Sequence, residues 1–123
     1  MGYYDDDKQF FIVDRIKELI KWKGYQVPPA ELEAILLSNP KIKDAAVIGI
    51  PHERAGEEAL AYVVKIDESL TENEVKLFVE KQTSVAKRLH GGVIFVQEIP
   101  KNPSGKILRR ELRELYKATR SKL

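Results

Sequence analysis

Two uninterrupted apolar runs, AAVIGI (45–50) and ALAYVVKI (59–66), stand eight residues apart, and any fold for this chain has to be built around them. Runs of this length, bounded by turn-forming residues, read as strands. The segment between them, PHERAGEE, is polar, so the pair is expected to form a hairpin closed by a long loop. A further strand is expected in GGVIFVQEI, after the paired Gly91 and Gly92. Near the N-terminus, FFIV (10–13) and the run from Leu19 to Lys23 flank the charged DRIKE and read as two strands joined by a polar bend.

Three helices fit between and after these strands. Pro28 and Pro29 suit a first helical turn, where a missing N–H costs nothing, and Glu31 and Glu33 complement the positive end of that helix. Leu32, Ile35 and Leu36 form its inward stripe, and Ser38, Asn39 and Pro40 end it. Thr71 followed by Glu74 is a capping box, and it places Val75, Phe78 and Val79 on the buried face of a second helix. KILRRELRELYKATR reads as a third, with Leu108, Leu112 and Leu115 on one side. The fold class expected is α+β: a small mixed sheet of about five strands flanked by three helices.

At 123 residues the chain has the size of one domain. It has no cysteine, which excludes disulfides and thiolate chemistry, and two distant histidines, His52 and His90, make a poor metal set, so no metal site is expected. No apolar run approaches the roughly 18 residues of a membrane span, and the N-terminus lacks a signal-peptide pattern. Charge is distributed unevenly. Residues 1–100 carry 13 Lys/Arg against 17 Asp/Glu, whereas residues 101–123 carry 8 against 2. The last three residues, Ser121, Lys122 and Leu123, spell the tripeptide read by the peroxisomal import receptor, so a peroxisomal location is expected.

Familiar nucleotide motifs fail on inspection. Gly105 and Lys106 end like a phosphate-binding loop, but Pro100 stands where its first glycine belongs and Ile107 where its Ser/Thr belongs. No G-x-G-x-x-G occurs, and neither histidine has a partner in a nucleophile elbow. Two lysine-centred segments remain. In DRIKELIKWKGYQVPPAELE, Arg15, Lys17, Lys21 and Lys23 share one parity and on an extended chain would face one side, ahead of a Gly24 that can take positive φ. In PKNPSGK (100–106), Lys106 follows a Pro/Gly turn. From the residues alone the first segment is equally a solvated basic face, and the second is an ordinary turn before a helix or a mobile loop delivering a lysine to a phosphate or carboxylate.

Taken together, FFIVDRIKELIKWKGYQVPPAELEAILLSNPKIKDAAVIGIP and EIPKNPSGKILRREL resemble the C-terminal domain of the adenylate-forming enzymes, the group of acyl-CoA synthetases, 4-coumarate-CoA ligases and firefly luciferases. The resemblance runs from about Tyr3 to the end, and IKWKGYQVPPAELE, GGVIFV and the terminal SKL look most like the insect luciferase and luciferase-like ligase branch. It implies a mobile lid, residues 17–123, preceded by a hinge approach at 1–16 that ends a larger N-terminal domain. It implies ATP with Mg, an acyl or aryl carboxylate and CoA as reactants, with Mg-ATP held mainly by that larger domain. By position, Lys106 matches the adenylation lysine and Lys21 a catalytic residue of the second step. Arg15 matches a ribose-binding arginine, Lys17 a nucleotide-binding residue that is also the hinge, Lys21 and Gln26 residues facing the adenylate, and Lys23 with Gly24 a CoA-contacting pair. The lid alone is expected to be inactive or nearly so, because the substrate pocket belongs upstream. The competing reading is a nucleic-acid or partner-binding module using the basic C-terminal helix; Glu111 and Glu114 interrupt that helix, and Tyr116 is its one aromatic.

Overall fold

The computed structural model describes residues 19–121. Two short strands, β1 (Ile20–Trp22) and β2 (Tyr25–Val27), are followed by α1 (Pro29–Leu37), β3 (Ile42–His52), β4 (Gly56–Lys65) and α2 (Glu72–Glu80). A 3₁₀ turn (Val85–Lys87) leads to β5 (Gly92–Phe95), and α3 (Arg109–Ser121) closes the fold. The mixed five-stranded sheet with three helices expected from the sequence is present. The strand expected at 10–13 lies outside the described residues, and β2 supplies a fifth strand that periodicity did not indicate.

β4 is the centre of the sheet. It pairs antiparallel with β3 along ten positions, from Ile42↔Lys65 to His52↔Gly56. Along its other side it meets β1 at Gly56 and runs parallel to β5 from Leu60 to Val63. The parallel pairing with β5 requires a crossover, which α2 provides. Gly91, immediately before β5, allows a close approach to β4. Its N–H bonds the Ala59 carbonyl at 2.8 Å, and a Cβ there would stand 2.9 Å from the same oxygen.

β3 and β4 are continuously apolar over 45–50 and 59–64 because both of their faces are covered there. Ala45, Val47, Ala59, Ala61 and Val63 point toward α1 and α2, packing with Leu32, Leu36, Val75 and Val79. Ala46, Ile48, Ile50, Leu60, Tyr62 and Val64 point the other way, toward Leu112 of α3. The loop closing this hairpin is short, residues 53–55, rather than the long polar loop expected. The ladder extends through Pro51 and His52 on one side and Glu57 and Gly56 on the other, and His52 Nδ1 accepts the Ala55 N–H at 3.1 Å, closing the turn.

The first two helices start where the sequence indicates, and the third starts at Arg109, three residues later than expected. Pro29 opens α1, and the Thr71 hydroxyl accepts the Glu74 N–H at 3.2 Å to cap α2. One stripe differs from expectation. Leu115 is 45% exposed, and the buried side of α3 is Leu112 with Tyr116 packed beside it. Leu108 precedes the helix, its N–H held by the Pro100 carbonyl at 2.9 Å.

Beneath α3 lies a polar atom with no partner. Tyr62 is 1% exposed, and its hydroxyl makes no hydrogen bond. Burial and the neighbouring Tyr116 push its phenol above the ordinary 10.0, which favours the neutral form in the folded state. That preference is in force below the ordinary value and is lost as pH rises through the raised one. Tyr62→Phe removes an unsatisfied hydroxyl, so chemical denaturation at neutral pH is expected to show stability unchanged or raised by about 1 kcal/mol. Alkaline unfolding should move to higher pH. A loss above about 1 kcal/mol would mean that the hydroxyl has a partner in solution.

Candidate functional site

Two exposed turns carry the lysines singled out from the sequence. The first joins β1 to β2. Ile20↔Val27, Lys21↔Gln26 and Trp22↔Tyr25 are in register, leaving a two-residue turn at Lys23–Gly24 with φ of 49° and 86°. Positive φ at both central positions belongs to the primed hairpin turns, for which glycine at the second is well suited. Lys21 and Gln26 are cross-strand neighbours on one face, both exposed, so an ammonium and an amide project side by side.

Anchoring of this hairpin falls to its other face. Ile20 and Val27 are each 1% exposed, and the Trp22 ring lies parallel to the His90 ring at 4.4 Å between centroids. The Lys21 N–H donates to the Glu57 carboxylate at 2.9 Å, and the Lys23 N–H donates to the Ala55 carbonyl at 2.8 Å. The one-sided basic row expected from parity does not extend to Lys23. Its positive φ turns the chain, and its ammonium sits 4.9 Å from the Trp22 ring centroid. Arg15 and Lys17 lie outside the described residues.

The second turn spans residues 101–106. Lys101 and Ile107 form an isolated antiparallel bridge at its base, and the Lys101 ammonium pairs with Asp44 at 2.7 Å. Within the turn, Asn102 Oδ1 accepts from the Ser104 N–H at 3.1 Å, the Ser104 hydroxyl at 2.7 Å and the Lys106 N–H at 2.9 Å. The Asn102 N–H donates to the Lys106 carbonyl at 2.9 Å, and Gly105, at φ 87°, donates to the Asn102 carbonyl. Lys106 is exposed at the edge of this framed turn. The turn is internally bonded, as an ordinary turn before a helix would be.

Just beyond Lys106, an ion pair that the sequence reading missed fixes the start of α3. Arg109 reaches the Glu33 carboxylate with one nitrogen 2.6 and 2.7 Å from its two oxygens, and its Nε donates to the Val47 carbonyl at 3.2 Å. Glu33 in turn accepts the Val47 N–H at 2.8 Å. Burial pushes the Glu33 carboxyl above its ordinary 4.5, while Arg109 and the Val47 N–H pull it back down. The effect on the fold is specific. Among the described residues β3 pairs with β4 alone, and at Val47 the ion pair satisfies both backbone groups on its other side. A Glu in the first turns of a helix signals only a favourable dipole, so neither partner could be picked out.

The two turns stand far apart. The hairpin meets β4 at Gly56, opposite His52, whereas Lys101 is tied to Asp44. Asp44 and His52 are eight residues apart along β3, roughly 26 Å of strand. Each turn offers an exposed lysine, and in the first Gln26 adds a side-chain amide, groups that fit phosphate or carboxylate oxygens. Among the described residues no cluster of three or more His, Asp or Glu could hold a metal ion, and no helix is long and apolar enough to cross a membrane.

Comparison with known proteins identifies the relatives of this arrangement. The pattern of the AMP-binding enzyme C-terminal domain matches residues 31–106, more than half of the chain. The chain belongs to that family. It is 55% identical to luciferin 4-monooxygenase of Nipponoluciola cruciata over 100% of its own length and 23% of the relative's. It is 58% identical to 4-coumarate–CoA ligase 2 of Nicotiana tabacum over 92% of its length and 21% of the relative's. Its fold superposes on ATP-bound MatB from Rhodopseudomonas palustris with a TM-score of 0.76 at 34% identity, covering 82% of this chain and 20% of that one. The chain thus spans between a fifth and a quarter of the curated relatives it matches, and the C-terminal domain that the sequence resembled is the one found.

Proposed function

We propose that this domain is the moving part of an enzyme that activates an acyl or aryl carboxylate with ATP and then transfers the acyl group to CoA, or exposes the adenylate to oxidation. In the first step a carboxylate oxygen attacks the α-phosphorus, the bond to pyrophosphate breaks, and an acyl-adenylate forms. In the second, the CoA sulfur attacks the acyl carbon, a proton leaves the thiol, and AMP departs. Each step builds negative charge that an ammonium can stabilise. Lys106 serves the first. Lys21, with Gln26 toward the adenylate and Lys23 with Gly24 toward CoA, serves the second.

The observation that carries this reading is the spacing of the two turns. A domain whose two lysine-bearing turns are tied near opposite ends of the β3–β4 ladder presents one or the other to a single pocket, so the domain turns between steps. Lys17 as the hinge and Arg15 as the ribose contact belong to the same proposal, with residues 1–16 leading in from the larger domain. Mg-ATP is held mainly by that domain. Delivery to the peroxisome rests on Ser121, Lys122 and Leu123, and deletion of those three residues from a fluorescent fusion tests it.

The enzymatic reading is tested by ATP–pyrophosphate exchange, with 4-coumarate, luciferin and dodecanoate as carboxylates. The full-length chain should support exchange with at least one of them. The same chain ended before residue 17 should still bind ATP yet lose exchange by at least a hundredfold, and residues 1–123 alone should show none. Undiminished exchange by the shortened chain would remove this domain from the adenylation step.

A further inference from the structure

Lys106 is exposed, so packing does little to place its backbone. Its backbone is instead held by a neighbouring residue. The Lys106 N–H donates to Asn102 Oδ1 at 2.9 Å, and the Lys106 carbonyl accepts the Asn102 N–H at the same distance. Both backbone polar groups of the lysine are therefore held by Asn102, one through its side chain and one through its main chain. The same Oδ1 also takes the Ser104 N–H and hydroxyl, which fixes the path of the chain into Gly105. Three donors on one amide oxygen leave it fully used.

We infer that Asn102 is a positioning residue for adenylation: its side-chain oxygen sets the direction in which Lys106 leaves the turn, and it has no part in the later step. The inference rests on Lys106 being the adenylation lysine. A lysine side chain has four rotatable bonds, and any wobble of its Cα is magnified at the ammonium. Displacement of a reacting group by about 1 Å costs on the order of a hundredfold in rate. The base of the turn does not depend on Oδ1. The Lys101–Ile107 bridge, the Lys101–Asp44 pair and the Leu108–Pro100 bond all persist without it, so its loss should loosen the tip and leave the domain folded.

In the full-length chain, Asn102→Ala is expected to lower the maximal rate of ATP–pyrophosphate exchange by about tenfold to a hundredfold, with KM for ATP changed by less than about threefold. Exchange is run with whichever of 4-coumarate, luciferin and dodecanoate the parent uses fastest. Thioester formation from the matching preformed acyl-adenylate and CoA should be unchanged. Asn102→Asp keeps an acceptor oxygen and should recover at least half of the lost activity on a logarithmic scale. Equal loss in both half-reactions, or no recovery with aspartate, would reduce Asn102 to a general structural role and overturn the inference. Unchanged exchange in Asn102→Ala alongside strong loss in Lys106→Ala would overturn it while sparing the proposed function. Unchanged exchange in Lys106→Ala itself would overturn both.

Discussion

Arg109→Ala is expected to cost the domain about 3–5 kcal/mol, the range for removing one partner of a buried ion pair. Arg109 and Glu33 have side chains only 14% and 9% exposed, and alanine would leave the Glu33 carboxylate buried without its counter-charge. Urea denaturation of the 123-residue chain measures this directly, and a loss below about 1 kcal/mol would contradict it. The paired substitution is more informative. Replacing both partners of a buried pair by apolar residues is often neutral or stabilising. Here the pair also satisfies the Val47 N–H and carbonyl on the side of β3 away from β4. Glu33→Leu with Arg109→Met should therefore stay at least about 1 kcal/mol below the parent, because two backbone groups lose their partners. Full recovery would show that the edge finds water or another partner without cost.

That ion pair also marks where reading the sequence stops being sufficient. Hydrophobic runs and caps act within a few residues of themselves, so the strands at AAVIGI and ALAYVVKI and the Thr71 cap could be placed from local pattern. Glu33 and Arg109 are 76 residues apart, and only the packing of α1 and α3 around the edge of β3 makes them neighbours. Which face of the sheet each helix takes is hidden for the same reason. The continuous apolar runs imply cover on both sides, without saying which helix supplies it.

The candidate site divides along the same line. Lys106 and the Lys21–Gln26 hairpin stood out because a Pro/Gly turn and a lysine cluster are local features, and the resemblance of two separated segments gave them their roles. Lys23 was misplaced for a local reason as well. The parity argument holds only while the chain stays extended, and the β1–β2 turn ends at that residue with φ at 49°. Asn102 was passed over because an asparagine between a lysine and a proline reads as ordinary turn chemistry. Its three accepted hydrogen bonds follow from the fold of the turn rather than from the residue type.

Separating the steps assigned to the two turns gives the second large effect. In the full-length chain Lys106→Ala is expected to slow adenylation by on the order of a hundredfold, about 3 kcal/mol of transition-state stabilisation, the usual consequence of removing one donor to developing charge. Thioester formation from supplied acyl-adenylate should remain within about threefold of the parent. Lys21→Ala should do the reverse. Lys106→Arg should not rescue adenylation, since a planar guanidinium carries its donors in a different geometry from a compact ammonium at the end of a framed turn. With the hairpin at the Gly56 end of β4 and the turn that carries Lys106 tied at its base to Asp44, near the other end of β3, a single pose of the domain is not expected to bring both lysines to one phosphate. ATP–pyrophosphate exchange and single-turnover thioester formation separate the two steps. Comparable loss in both assays from each variant would mean that the lysines act together, and would remove the need for the domain to turn.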